Sequence, residues 1–145
     1  MNVNILGLIF GIASAMCWGL TYTISEKILT KTSSISLIFI ESLLAAIITL
    51  PLFIFKSGGV RSLALSGTTN IVLLLVSVVT AVLGYIFIYE SIRLVGASIA
   101  TIFEIGYPLF VVIFSFFLFG HTLNWYCLLG AVLIMSGALI IAKFC

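Results

Sequence analysis

The chain has 145 residues, of which 63% are hydrophobic and 7% charged, and its mean hydropathy is +1.44. Soluble domains carry about 25% charged residues, and a soluble fold of this length still exposes a large share of its surface. The composition therefore excludes a soluble domain, and a net charge of +2, thinly scattered, gives no footing for nucleic acid.

Five apolar segments follow one another: Asn4–Ser25, Ser34–Phe55, Ile71–Tyr89, Ala97–Phe119 and Asn124–Ala142. Each is near the roughly 20 residues a helix needs to cross about 30 Å of hydrocarbon. A β-barrel needs short alternating strands with polar lumen positions, and Phe110–Phe119 is apolar almost throughout. The expectation is an all-α membrane protein, a five-helix transmembrane bundle forming a single domain over residues 1–145. An odd number of crossings places the two termini on opposite sides of the bilayer.

The first segment has no Lys or Arg in Met1–Asn4 and is longer than a signal-peptide core, so it is read as a retained helix. Ser14-Ala15-Met16-Cys17 is a poor lipoprotein box, because Met16 is large where a small residue belongs. Gly7, Gly11 and Ala15 form a small-residue face of the kind that packs helices in lipid. Trp18 and Tyr22 continue that face at helical spacing; each is an interfacial anchor or part of a site. The second segment carries Glu41 about two turns in. The third aligns Ser77, Ala81, Gly84 and Ser91, and ends on Glu90 and Arg93, a local boundary pair. The fourth carries Glu104 and, four residues on, Pro108. The fifth offers Gly130 and Gly137 for packing.

The links are short: Glu26–Ser33, Lys56–Asn70 with a turn at Ser57-Gly58-Gly59, Ser91–Gly96 and Gly120–Leu123. They leave no room for a soluble domain and make consecutive helices antiparallel neighbours. Lys27, Lys31, Arg93 and Lys143 fall on one side; Lys56, Arg61 and the amino terminus fall on the other. The positive-inside rule puts the N-terminus outside by a margin narrow enough for insertion both ways.

Glu41 and Glu104 are the chemically informative residues. A charge near the bilayer centre costs roughly 2.5–3.5 kcal/mol on insertion scales, so such groups face protein or water. Glu41 either reaches the boundary, where Lys31 is available, or faces a cavity. Glu104 is either a neutral acid bonded to a neighbouring helix, or a group that binds a cation or exchanges a proton. Ala97, Ala100, Glu104, Tyr107 and Val111 share one helix face, as expected of a pathway lining. Pro108 cannot donate to the Glu104 carbonyl, so a kink there is either mere shape or a hinge.

Enzyme and channel signatures are missing. His121 is the one histidine, no cluster has metal spacing, and Cys17, Cys127 and Cys145 form no CxxC. The cysteines are read as reduced thiols. No catalytic residue, metal or cofactor is expected, and no repeated selectivity filter is present.

The ordered motifs resemble the EamA domain of the drug/metabolite transporter superfamily over nearly the whole chain. Ala15-Met16-Cys17-Trp18-Gly19 with Lys27 is similar to its A-x-x-W-G opening, and Gly84-Tyr85 before Glu90-Ser91-Ile92 to its third helix. Ala97-Ser98-Ile99-Ala100 and Tyr107-Pro108-Leu109-Phe110 resemble its fourth. Gly120–Leu123, Gly130, Leu133-Ile134 and Gly137-Ala138 resemble its ending. His121 stands where the family often has Glu, and Glu41, four before Ala45, stands near a common Arg. The resemblance implies a plasma (inner) membrane transporter of small organic metabolites or drugs, working by alternating access. It also implies that one five-helix repeat pairs with a second, inverted copy or with a paralogous half-transporter. Helices one, three and four are then expected to line the cavity, with Trp18, Tyr22, Tyr85, Glu104 and Tyr107 as contacts, Glu41 of helix two as a further substrate- or proton-binding residue, and Pro108 as hinge. The alternative is a non-transporting membrane subunit that assembles with a partner membrane protein.

Overall fold

A computed structural model describes residues 5–56, 67–120, 122 and 124–144. The helices are α1 (Ile5–Leu29), α2 (Ser34–Lys56), α3 (Thr68–Val95), α4 (Ala97–Glu104), α5 (Tyr107–Phe119) and α6 (Trp125–Phe144), and no strand occurs among the described residues. Among the described residues four spans are long and apolar enough to cross a membrane: Ile5–Leu29, Ser34–Phe55, Thr69–Val95 and Ala97–Phe119. The apolar stretch of α6 is shorter, at Trp125–Ile141. The whole of α6 is 20 residues, about 30 Å at the α-helical rise. Leu, Ile, Val and Phe side chains are exposed along every span, a surface that lipid accepts and water does not. The chain is an all-α membrane protein. The expected turn at Ser57-Gly58-Gly59, together with Arg61, His121 and Cys145, lies outside the described residues.

Two helices, α1 and α3, outrun their hydropathy limits the furthest. α1 continues past Ser25 to Leu29, and α3 begins before Ile71 and continues past Tyr89 to Val95. Apolar runs mark the bilayer, whereas a helix persists into polar residues until its backbone is stopped. After α3 the stop is Gly96, at φ +83°, with its N–H on the Ile92 carbonyl at 2.9 Å. Only glycine adopts that conformation without strain. The expected six-residue link is thus a single residue. Ser33, just before α2, accepts the Ser36 N–H on its hydroxyl oxygen at 3.2 Å, an N-terminal cap.

The span Ala97–Phe119 is two helices rather than the one expected. The Ile105 N–H bonds the Thr101 carbonyl at 2.9 Å, then the Gly106 N–H bonds Phe103 at 3.2 Å and the turn tightens. Pro108 follows in the first turn of α5, where its fixed φ is favourable and its missing N–H is no loss.

The described residues form two compact units, Met1–Glu26 with Ser91–Cys145, and Lys27–Glu90. In the first, α4 and α5 pack on α6, with Ile92, Ala97, Ala100, Gly106, Ala131 and Ala138 buried. Small residues there let backbones approach closely. A Cβ on Gly106 would stand 2.4 Å from the Met135 methyl carbon and 3.3 Å from the Phe103 carbonyl oxygen. Gly7, Gly11, Gly84, Gly130 and Gly137 behave differently: among the described residues, nothing lies within 4 Å of a Cβ placed on them. The glycine that close packing requires is therefore Gly106, not those on the expected packing faces. In the second unit, Leu29, Leu37, Ile38, Ile88 and Tyr89 form the core.

Candidate functional site

In the first unit α1 presents Trp18 and Tyr22 one turn apart, their rings 5.6 Å between centroids and inclined by 31°. The Tyr22 hydroxyl donates to Oε1 of Glu104 at 3.0 Å. Both residues are half-buried. Glu104 ends α4, immediately before the helix break, so this carboxyl group meets a tyrosine from another helix rather than bare hydrocarbon. A groove of about 350 Å³ lies along α1 and the start of α4, lined on one side by Trp18, Tyr22 and Glu26 and on the other by Ala97, Ser98 and Thr101. From Trp18 to Glu26 it runs about 12 Å at the helical rise.

The polar groups of this groove divide into two kinds. The Thr23 hydroxyl donates to the Gly19 carbonyl at 2.8 Å, and the Thr101 hydroxyl to Ala97 at 2.7 Å. Both are consumed by their own helices. Glu26 and Ser98 are exposed, and neither side chain has a bonding partner among the described residues. The lining includes no Lys, Arg or His. The groove is thus acidic and aromatic, with one carboxylate at its end and a second bonded to its Tyr22.

The second unit holds Glu41, the other carboxyl group singled out from the sequence. The Tyr89 hydroxyl donates to Oε2 of Glu41, and Tyr85 meets Tyr89 edge-on at 6.1 Å and 61°. Tyr89 is 0% exposed while Glu41 is half-buried. A hydrogen bond to a buried hydroxyl offsets part of the cost of placing a carboxyl group in lipid.

A family model described as the EamA-like transporter family matches residues 5–143. The chain belongs to that family. No curated protein and no solved structure matches it. Family membership and the apolar spans together make it a multi-pass membrane protein of a transporter family.

Within this EamA chain the residues singled out from sequence separate into groups. Trp18, Tyr22 and Glu104 come together in the first unit, and Glu41 and Tyr85 stand with Tyr89 in the second. Tyr107 does not join Glu104: it lies beyond the break and is 61% exposed. Along the expected face of Ala97, Ala100, Glu104, Tyr107 and Val111, Ala97 and Ala100 are buried, Glu104 is half-buried, and Tyr107 and Val111 are exposed. Pro108 is half-buried just after that turn. Glu26, Ser98, Thr101 and Tyr89 are the residues that sequence reasoning passed over. Glu26 was legible only as part of a link, since it follows the apolar run. Tyr89 carried one signal: Tyr85 and Tyr89 are four apart on a helix in a chain with an unexplained Glu41.

Proposed function

We propose that this EamA-family chain is a secondary transporter of small organic metabolites or drugs in the plasma (inner) membrane, using alternating access as an antiparallel pair of copies. The observation that carries the reading is the Tyr22–Glu104 hydrogen bond beside an aromatic groove of about 350 Å³, within the range of small-molecule sites. A half-buried carboxyl group held by one hydroxyl is a group a substrate or proton can compete for. When Tyr22 lets go, Glu104 becomes available to cargo, so opening and binding are linked. The break at Ile105–Gly106 supplies a bend directly after Glu104, and interrupted helices in lipid are tolerated where they serve a cavity. Pro108 then fixes the start of the moving half, and Glu41 with Tyr85 gives a second polar station.

Support for a second copy comes from two sources. The loop charges are nearly balanced, which permits both orientations. The glycines at 7, 11, 130 and 137 face open space among the described residues, so their faces remain available for packing. That same observation favours the second reading, a non-transporting subunit that offers those faces to a different membrane protein. Reconstitution of the purified chain alone separates the two. Substrate-dependent flux down an imposed proton or cation gradient is the expected result. No flux under any gradient, from a correctly inserted protein, would assign the chain to the subunit role.

A further inference from the structure

We infer that the groove in the first unit takes an organic cation, a protonated or quaternary amine with apolar substituents, with its charged head at Glu26 and Ser98 and its apolar body against Trp18 and Tyr22. This deepens the transport reading and its physiological meaning rests on it. Three observations carry it. First, the groove has an exposed carboxylate, Glu26, with no bonding partner among the described residues, and its lining holds no basic side chain. Oε1 of Glu26 lies 3.2 Å from where a Cβ on Gly96 would stand, so the glycine leaves the carboxylate its room. Second, Trp18 is 41% exposed and pairs with Tyr22 at 5.6 Å. Aromatic faces beside a cavity attract cations through the ring quadrupole, Trp most strongly. Third, a volume of about 350 Å³ fits a small organic molecule, far more than a bare metal ion needs.

An anionic ligand is disfavoured by the same geometry. The amino end of α4 would attract an anion on its own, but Glu26 already stands beside Gly96 at that end. An incoming anion would meet its charge within the groove. The order of the residues also suits a cation. Glu26 lies near the end of α1, three residues before Leu29, while Trp18 and Tyr22 lie further inside. A cation captured at Glu26 therefore moves along aromatic faces toward the hydroxyl that holds the second carboxylate, Glu104.

The test uses the purified full chain in detergent, with Trp125→Phe so that Trp18 reports alone. The probe is benzyltrimethylammonium, and the control is neopentylbenzene, its neutral isostere. Saturable quenching by the cation is expected, with affinity at least about tenfold above the neutral compound. Glu26→Gln should weaken the cation about tenfold, Glu26→Asp should restore part of the loss, and added salt should weaken binding. Matching elution and helix content for each variant guard against misfolding. Equal affinity for the two probes, no saturable cation binding, or an unaffected Glu26→Gln would each overturn the cation site. Flux of a neutral or anionic solute without cation binding overturns this inference and leaves the transporter standing. Cation binding without any flux does the reverse.

Discussion

Replacing Tyr22 with Phe keeps the ring beside Trp18 and removes the hydroxyl that makes the 3.0 Å bond to Glu104. Polar contacts between membrane helices measured by double-mutant cycles average about 0.6 kcal/mol and reach about 1.7. The half-buried position of both groups places this bond inside that range rather than above it. A loss of that size changes an equilibrium by about threefold to eighteenfold. The assay is a four-cornered cycle of wild type, Tyr22→Phe, Glu104→Leu and the double variant, read by reversible unfolding in detergent. Tyr22→Phe should cost the full amount in the wild-type background and almost nothing once the acceptor is gone. Additive losses, within about 0.3 kcal/mol, would show that the two groups do not interact and would remove the bond from the account.

Three further outcomes follow from separate parts of the molecule. Gly106→Val should cost about 1–3 kcal/mol by overpacking against Met135 and the Phe103 carbonyl. Met135→Ala should recover part of that loss, whereas an unchanged unfolding midpoint for Gly106→Val would show that α4 and α5 do not sit tightly on α6. Tyr89→Phe should destabilise by about 0.6–1.7 kcal/mol, since it strips a hydroxyl from Glu41 at a fully buried position; stability equal to wild type would contradict that contact. With Cys17 and Cys127 replaced by Ala, Cys145 should react with a membrane-impermeant reagent from both faces. Labelling from one face only would rule out two orientations and, with them, the antiparallel pair of identical copies.

Hydropathy was enough to reveal where this chain meets lipid, because each span needs an unbroken apolar run. It did not locate where each helix ends. Glu26, Lys27, Glu90 and Arg93 are polar yet helical, and the true stop after α3 is the positive φ of Gly96. Proline alone was equally ambiguous. Pro51 lies inside an uninterrupted α2, while Pro108 follows a break. What distinguishes them is Gly106, whose missing side chain admits Met135, and that is a property of packing, not of local sequence. Glu104 stood out because a carboxyl group in hydrocarbon demands a partner, but the rule names no partner. Tyr22 was found through its spacing from Gly11, Ala15 and Trp18, and the bond joining it to Glu104 spans 82 positions in the chain. Tyr107 was placed on the Glu104 face by periodicity, which says nothing of burial: Tyr107 is exposed where Glu104 is half-buried.

Glu104→Gln is the most direct test of the proposed transport role. Glutamine keeps an acceptor for the Tyr22 hydroxyl but cannot carry a charge or exchange a proton. Purified wild type and variant are reconstituted at equal density and assayed for gradient-driven uptake of an organic cation. Uptake by the wild type and its loss in the variant are expected, with insertion and oligomeric state unchanged. Wild-type uptake by Glu104→Gln would contradict the proposed role and leave Glu104 a structural hydrogen-bonding residue.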